Sequence, residues 1–177
     1  MSKEEQSRAD RVRKALDRYE APLLRYATRL TGNNELARDI VQDTFLKLCT
    51  AEWDQIEAYL APWLYRVCRN RALDVLKKEN RMQALAEGQA ESRPDTKPAP
   101  GAVAEGRETE ALVHAVLAKL PEKNQEIFRL KFQHELSYQE ISEVTGHDLN
   151  NIRYVIHTTL KTLRQQLQGR LNRAVGQ

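Results

Sequence analysis

No run of the roughly 18 apolar residues that a membrane helix needs occurs in this 177-residue chain, so no membrane insertion is expected. The opening stretch MSKEEQSRADRVRK has no apolar core and does not read as a secretory signal. The two cysteines, Cys49 and Cys68, are too few for a disulfide framework, and with no secretory signal a reducing, cytoplasmic setting is expected. Both fall on apolar helix faces, where a thiol packs as a small hydrophobe. Glycine and proline are scarce, at seven and six, and sustained strand-like alternation and hairpin turn signals are absent. Together with abundant Ala, Leu, Glu, Arg and Gln, this excludes a β-rich chain and predicts an all-α protein. Charge of one sign is also missing. The formal net charge is only +3, so any affinity for nucleic acid must rest on local patches.

Catalytic and cofactor signatures are absent too. His114, His134, His147 and His157 are scattered, with neither HExxH spacing nor a cysteine pair for zinc. No GxxxxGK phosphate loop, GxGxxG turn or GxSxG nucleophile elbow occurs. The polar residues form stripes along helices, which suits binding more than catalysis. An enzyme, a metal and a cofactor are therefore not expected.

What is present begins with Pro62 to Arg81, PWLYRVCRNRALDVLKKENR. As a helix it places Leu64, Val67, Cys68, Ala72, Val75 and Leu76 on one side. The other side carries Arg66, Arg69, Asn70, Arg71, Lys77, Lys78 and Arg81, against only Asp74 and Glu79. A solvated charged face is the ordinary reading of such a pattern. Basic density beside Trp63, Tyr65 and Asn70, which can stack on or hydrogen-bond to bases, favours a nucleic-acid surface.

Upstream, apolar spacing predicts a helix from about Val12 to Leu30, kinked or divided at Pro22 and stopped by Gly32. Asn33 or Asn34 can cap the next, Glu35 to Cys49, whose core stripe is Leu36, Ile40, Val41, Thr44, Phe45, Leu48 and Cys49. Asp39, Gln42, Asp43 and Leu46 form a second stripe opposite. It reads equally as a solvated face with one exposed leucine or as a docking surface for a basic partner helix. Trp53 to Leu60 reads as a connection, with Asp54 capping a short helix and Pro62 in the first turn of the basic helix.

Composition changes after Arg81. Residues 82–107 gather Gly, Pro, Ser and charge, too polar to repay ordering, and predict a flexible linker between domains 1–81 and 108–177. In the second domain Leu112, Val113, Val116, Leu117 and Leu120 form one apolar face, and Pro121 can open a helix bearing Ile127, Phe128, Leu130 and Phe132. Ser137-Tyr138-Gln139-Glu140 is a capping box, Gly146 a helix stop, and Asp148 or Asn150 a cap for a helix carrying Ile152, Val155, Ile156, Thr159, Leu160, Leu163 and Leu167. Short helix, glycine turn and longer helix is the helix-turn-helix pattern. A plain helical hairpin on a bundle shares this pattern; the reading favoured is DNA, with the second helix presenting Asn150, Asn151, Arg153, Tyr154 and His157 to base edges and Lys161 and Arg164 suited to phosphate.

Taken together, DIVQDTFLKL (39–48), WLYRVCRNRALDVLKKENR (63–81), the variable linker and LPEKNQEIFRLKFQHELSYQEISEVTG (120–146) resemble the extracytoplasmic-function (ECF) group of sigma-70 superfamily sigma factors. The resemblance implies two small helical domains, a region 2-like bundle and a region 4-like helix-turn-helix. It assigns Asp39, Gln42, Asp43 and Leu46 to the coiled coil of the RNA polymerase β′ clamp, the core enzyme's β subunit being a further partner. It places Asn70 at a flipped base of the −10 element, with Trp53 as an aromatic wall nearby and Trp63 on the same helix. Arg66, Arg69, Lys77, Lys78 and Arg81 are assigned to backbone phosphates. The carboxy-terminal helix is assigned to the −35 element, and an anti-sigma factor is implied as a further partner. Val155 and Thr158 stand where family members carry arginines, and each lost phosphate contact lowers the salt slope of binding by roughly 0.9. The alternative is a free-standing helix-turn-helix regulator that binds operator DNA without polymerase.

Overall fold

The computed structural model describes residues 3–87 and 104–175, and every regular element among them is helical. The chain divides into two compact units, Met1–Lys97 and Pro98–Gln177.

In the first unit α1 spans Lys3–Thr31, α2 Asn34–Thr50, α3 Trp53–Ile56 and α4 Leu60–Glu87, with a 3-10 turn at Glu57–Tyr59 between the last two. α1 begins earlier than its apolar pattern suggests and runs unbroken through Pro22, whose missing N–H costs one helical hydrogen bond. Gly32 takes a left-handed φ of 68°, and the Asn33 side chain accepts from the amides of Glu35 and Leu36 at 2.8 and 3.2 Å. That cap satisfies two of the donors α2 would otherwise leave open. Asp54 does not cap α3; Glu52 stands at that position without a side-chain bond. α1, α2 and α4 enclose Leu23, Ala27, Ile40, Leu48, Leu64 and Cys68, all at 0 or 1% exposure. Polar Thr44 enters this core because its hydroxyl donates to the Ile40 carbonyl at 2.8 Å.

The two cysteines part company here. Cys68 is buried, and desolvation pushes its thiol from the ordinary 9.0 up to about 12, against a smaller downward pull from a hydrogen bond with Thr44. Cys49, expected on the core face, is exposed. One thiol per native chain is therefore expected to react quickly with an aromatic disulfide reagent at pH 8, and the second only on unfolding. Two fast equivalents would place Cys68 outside the core. Burial raises the Tyr65 phenol as well. Both groups bind their protons more tightly in the folded state, so this stabilisation is complete below pH 9 and declines as pH rises toward the folded values.

In the second unit α5 spans Ala104–Leu117, α6 Glu122–Phe132, α7 Tyr138–Thr145 and α8 Leu149–Val175. The expected linker, 82–107, falls mostly outside the described residues; α4 reaches Glu87 from one side and α5 starts at Ala104 on the other. Leu112, Val116, Ile127, Leu130, Ile141, Ile152 and Ile156 form the core. Phe132, expected to add bulk there, is 48% exposed at the end of α6, its ring centroid 4.5 Å from that of Phe128.

The capping box closes as the sequence predicts. Glu140 N–H donates to Ser137 Oγ at 3.2 Å, and Ser137 N–H donates to Glu140 Oε2 at 2.7 Å. Gly146 ends α7 at φ 76°, a left-handed conformation that a side chain would strain. Asp148 then caps α8, accepting from Asn150 and Asn151 amides at 3.0 and 2.9 Å. Ser137→Ala is expected to cost the chain about 1 kcal/mol in urea unfolding, as N-cap losses do. No change in midpoint would mean the box is redundant.

Candidate polymerase and nucleic-acid interfaces

α2 directs its buried face at α1 and α4 and leaves Asp39, Gln42 and Leu46 exposed, Leu46 at 57%. Asp43 belongs to the same stripe but is engaged, accepting from Arg71 Nε of α4 at 2.7 Å. Both partners are more than a third exposed, so the pair adds at most about 1 kcal/mol. Its geometric effect is larger, since it holds the Asp43 carboxylate toward α4. Beside the stripe, Gln42, Leu46, Val41, Phe45 and Cys49 of α2 join Val12, Leu16 and Leu24 of α1 in a mostly apolar groove of about 510 Å³. A polar line bordered by an apolar groove can receive a helix through charge and side-chain insertion together.

α4 places Arg66, Asn70, Lys77, Lys78 and Arg81 in solvent, with Trp63 and Arg69 half-buried. Asn70 makes no hydrogen bond to the described side chains around it and stands one turn beyond Arg66. This face can hold phosphates and offer an amide to a base edge.

Two aromatics read as base-stacking candidates are core residues instead. Tyr65 is 2% exposed and meets Tyr26 edge-on at 5.2 Å. Trp53 is 9% exposed, its indole N–H finds no acceptor among the described residues, and the Arg11 guanidinium sits 5.9 Å over its ring. In this conformation Trp53 braces α1 against α3 and presents no open wall to a base. Its place in a short connection, where neither helical nor strand period applies, hid that burial.

On α8 the residues expected to meet DNA lie outward. Asn150, Arg153, Tyr154, His157, Lys161 and Arg164 are exposed, Tyr154 at 69%, and Asn151 is half-buried. Val155 is 2% exposed, in the core formed with Ile152 and Ile156. It does not stand in for a lost surface cation, because an arginine there would have to enter the core. Thr158 is turned back on its own helix, its hydroxyl donating to the Tyr154 carbonyl at 2.8 Å. The expected loss of phosphate contacts thus reduces to one position.

Among the described residues no helix is long and apolar enough to cross a membrane, and no group of three or more His, Cys, Asp or Glu side chains is placed to hold a metal.

Comparison with known proteins meets this geometry at both units. Sigma-70 region 2 matches residues 15–82 and Sigma-70 region 4 matches residues 110–163. RNA polymerase sigma factor SigV of Bacillus subtilis is 27% identical over 144 residues, 81% of this chain and 82% of its own. ECF RNA polymerase sigma factor SigE of Mycolicibacterium smegmatis is 30% identical over 158 residues, 88% of this chain and 60% of that longer protein. The sigma factor RpoE of Bartonella quintana, solved in complex with the anti-sigma factor NepR, shares the fold at TM-score 0.60 and 19% identity, covering 88% of this chain and 96% of that one. The chain belongs to the sigma-70 family of RNA polymerase sigma factors. Within that family it is a member of the extracytoplasmic-function group, a non-enzymatic initiation factor and not a free-standing regulator.

Proposed function

We propose that the chain works in the cytoplasm by dividing three tasks among three helices. α2 docks on the β′ clamp of core RNA polymerase through Asp39, Gln42, Asp43 and Leu46. A side chain of the partner helix enters the apolar groove beside them. α4 engages the −10 element, with Asn70 receiving an extruded base and Arg66, Arg69, Lys77, Lys78 and Arg81 holding the opened backbone. Extrusion costs a few kcal/mol of stacking and pairing, which a prepared amide and a row of phosphate-binding cations offset. Trp63, half-buried near the start of α4, borders that face. α8 enters the major groove at the −35 element, where Asn150, Asn151, Arg153, Tyr154 and His157 reach base edges and Lys161 and Arg164 reach phosphate.

The observation that carries this reading is the separation of faces on the first unit. α2 exposes a carboxylate, an amide and a leucine beside an apolar groove, whereas α4 exposes cations and an asparagine. A regulator that only bound operator DNA would need the second face and not the first. An anti-sigma factor that covers these faces would hold the chain inactive, in keeping with the partnered state in which the Bartonella protein was solved.

Run-off transcription with added core enzyme, on DNA from upstream of the chain's own coding region, tests the reading. A discrete transcript that depends on this chain is expected. DNA binding with no transcript from any candidate promoter would overturn it.

A further inference from the structure

α1 carries a line of cations that none of the roles above uses. Arg11, Lys14, Arg18, Arg25 and Arg29 follow one another at steps of three, four, seven and four, which a helix brings onto one side. All five are exposed. No acid falls within the line; Asp10 and Asp17 flank it at Lys14, about 40° and 60° round the helix from that residue, and Arg11, Arg18, Arg25 and Arg29 have no acid three or four residues away. On a merely solvated face both signs would intermingle, as they do elsewhere in a chain whose formal net charge is only +3. At 1.5 Å per residue the line is about 27 Å long.

The fold sets this line beside the elements assigned to the −10 element. Arg11 lies over Trp53 at the start of α3. Arg25 lies near enough to Tyr65 of α4 for its charge to act on that phenol. Tyr65 meets Tyr26 of α1, and one turn further along the same edge of α4 stands Arg69. The opposite edge of α4 faces α2 through Arg71 and Asp43. The exposed face of α4 is therefore flanked by α1 on one side and by the polymerase-docking helix on the other.

We infer that the Arg11–Lys14–Arg18–Arg25–Arg29 line is a second track for the sugar-phosphate backbone of promoter DNA, continuous with the cationic face of α4. It rests on the sigma reading of α4, and it adds contacts that position the strand without reading sequence. The line is uniform in sign, has no amide group to read a base edge, carries one adjoining aromatic, Tyr19, whose ring lies under the Arg18 guanidinium at 5.3 Å, and is long enough to span several phosphates. Affinity gained there grows as salt falls, because each phosphate neutralised releases counterion.

The test uses holoenzyme assembled from core polymerase and the full chain, with Arg18, Arg25 and Arg29 all changed to Gln, or all to Lys as a charge-preserving control. Kd is measured from 50 to 200 mM salt on a duplex promoter fragment and on the same fragment with a preformed bubble. The Gln variant is expected to lower the log–log slope by about 2 on the bubble template, taking roughly 0.7 per single-strand phosphate. Its affinity deficit should then shrink roughly 16-fold across that fourfold salt range. An equal or larger change on the duplex assigns the contacts to double-stranded DNA instead and still supports the track. The Lys variant should behave as wild type, and core affinity and sequence preference should not move. An unchanged slope in an active holoenzyme overturns this inference alone, and a loss of core affinity reassigns α1 to protein docking and overturns it too. A wild-type chain that forms no holoenzyme overturns the sigma reading beneath it.

Discussion

Asp39→Arg is expected to weaken binding to core RNA polymerase by on the order of 100-fold, the scale of a hot-spot charge lost and reversed at an interface centre. Asp39 is exposed on α2 and forms no ion pair among the described residues, so its removal takes nothing from the fold. Asp43→Arg is a less clean change. It puts a second guanidinium where Arg71 now donates to a carboxylate at 2.7 Å, so part of its effect falls on the α2–α4 packing. Because that pair is surface-exposed the fold should persist, and the double variant Asp39→Arg/Asp43→Arg should lose retention on core enzyme in a pull-down. Leu46→Ala, which deletes an apolar anchor more than half exposed, should weaken binding with no fall in thermal stability. Retention unchanged by both reversals would remove α2 from the polymerase interface.

Asn70→Ala is expected to reduce open-complex formation tenfold or more while leaving core affinity within about twofold, since a good side-chain contact to a base is worth about 1–3 kcal/mol. A structural role for Asn70 predicts the opposite sign in a second measurement. Alanine is the better helix former, so at an exposed position with no side-chain bond the replacement should leave stability equal or slightly higher. Permanganate footprinting of the opened region, read beside a thermal melt of the free chain, separates the two. A destabilised chain with parallel losses of opening and core binding would make Asn70 a structural residue. A premelted promoter should restore much of the variant's activity, because strand separation no longer has to be driven.

The caps of α2, α7 and α8 were legible because capping is local: Asn33, Ser137 and Asp148 bond to amides two or three residues away. The core faces of α2 and α8 were legible because periodicity repeats over several turns. Cys49 and Cys68 fit that periodicity equally well, yet only Cys68 is enclosed, because α4 packs against both α1 and α2 whereas Cys49 lines the open groove. Val155 looked like a missing surface arginine by resemblance and proved to be core. The cationic line on α1 was written in the sequence throughout. It lies away from the apolar spacing of that helix, which runs unbroken through Pro22.

The sequence by itself determined that the chain is helical, where most helices start and stop, which faces are apolar, and that two cationic surfaces and one acidic stripe exist. Those properties follow from bonds and spacings within a few turns. Only tertiary structure decided that Trp53 and Tyr65 are enclosed, that Asp43 is shared with Arg71, and that the line on α1 runs beside α4. Each depends on which helix edges meet, and that is set by burying three apolar faces at once, a condition that no single helix contains.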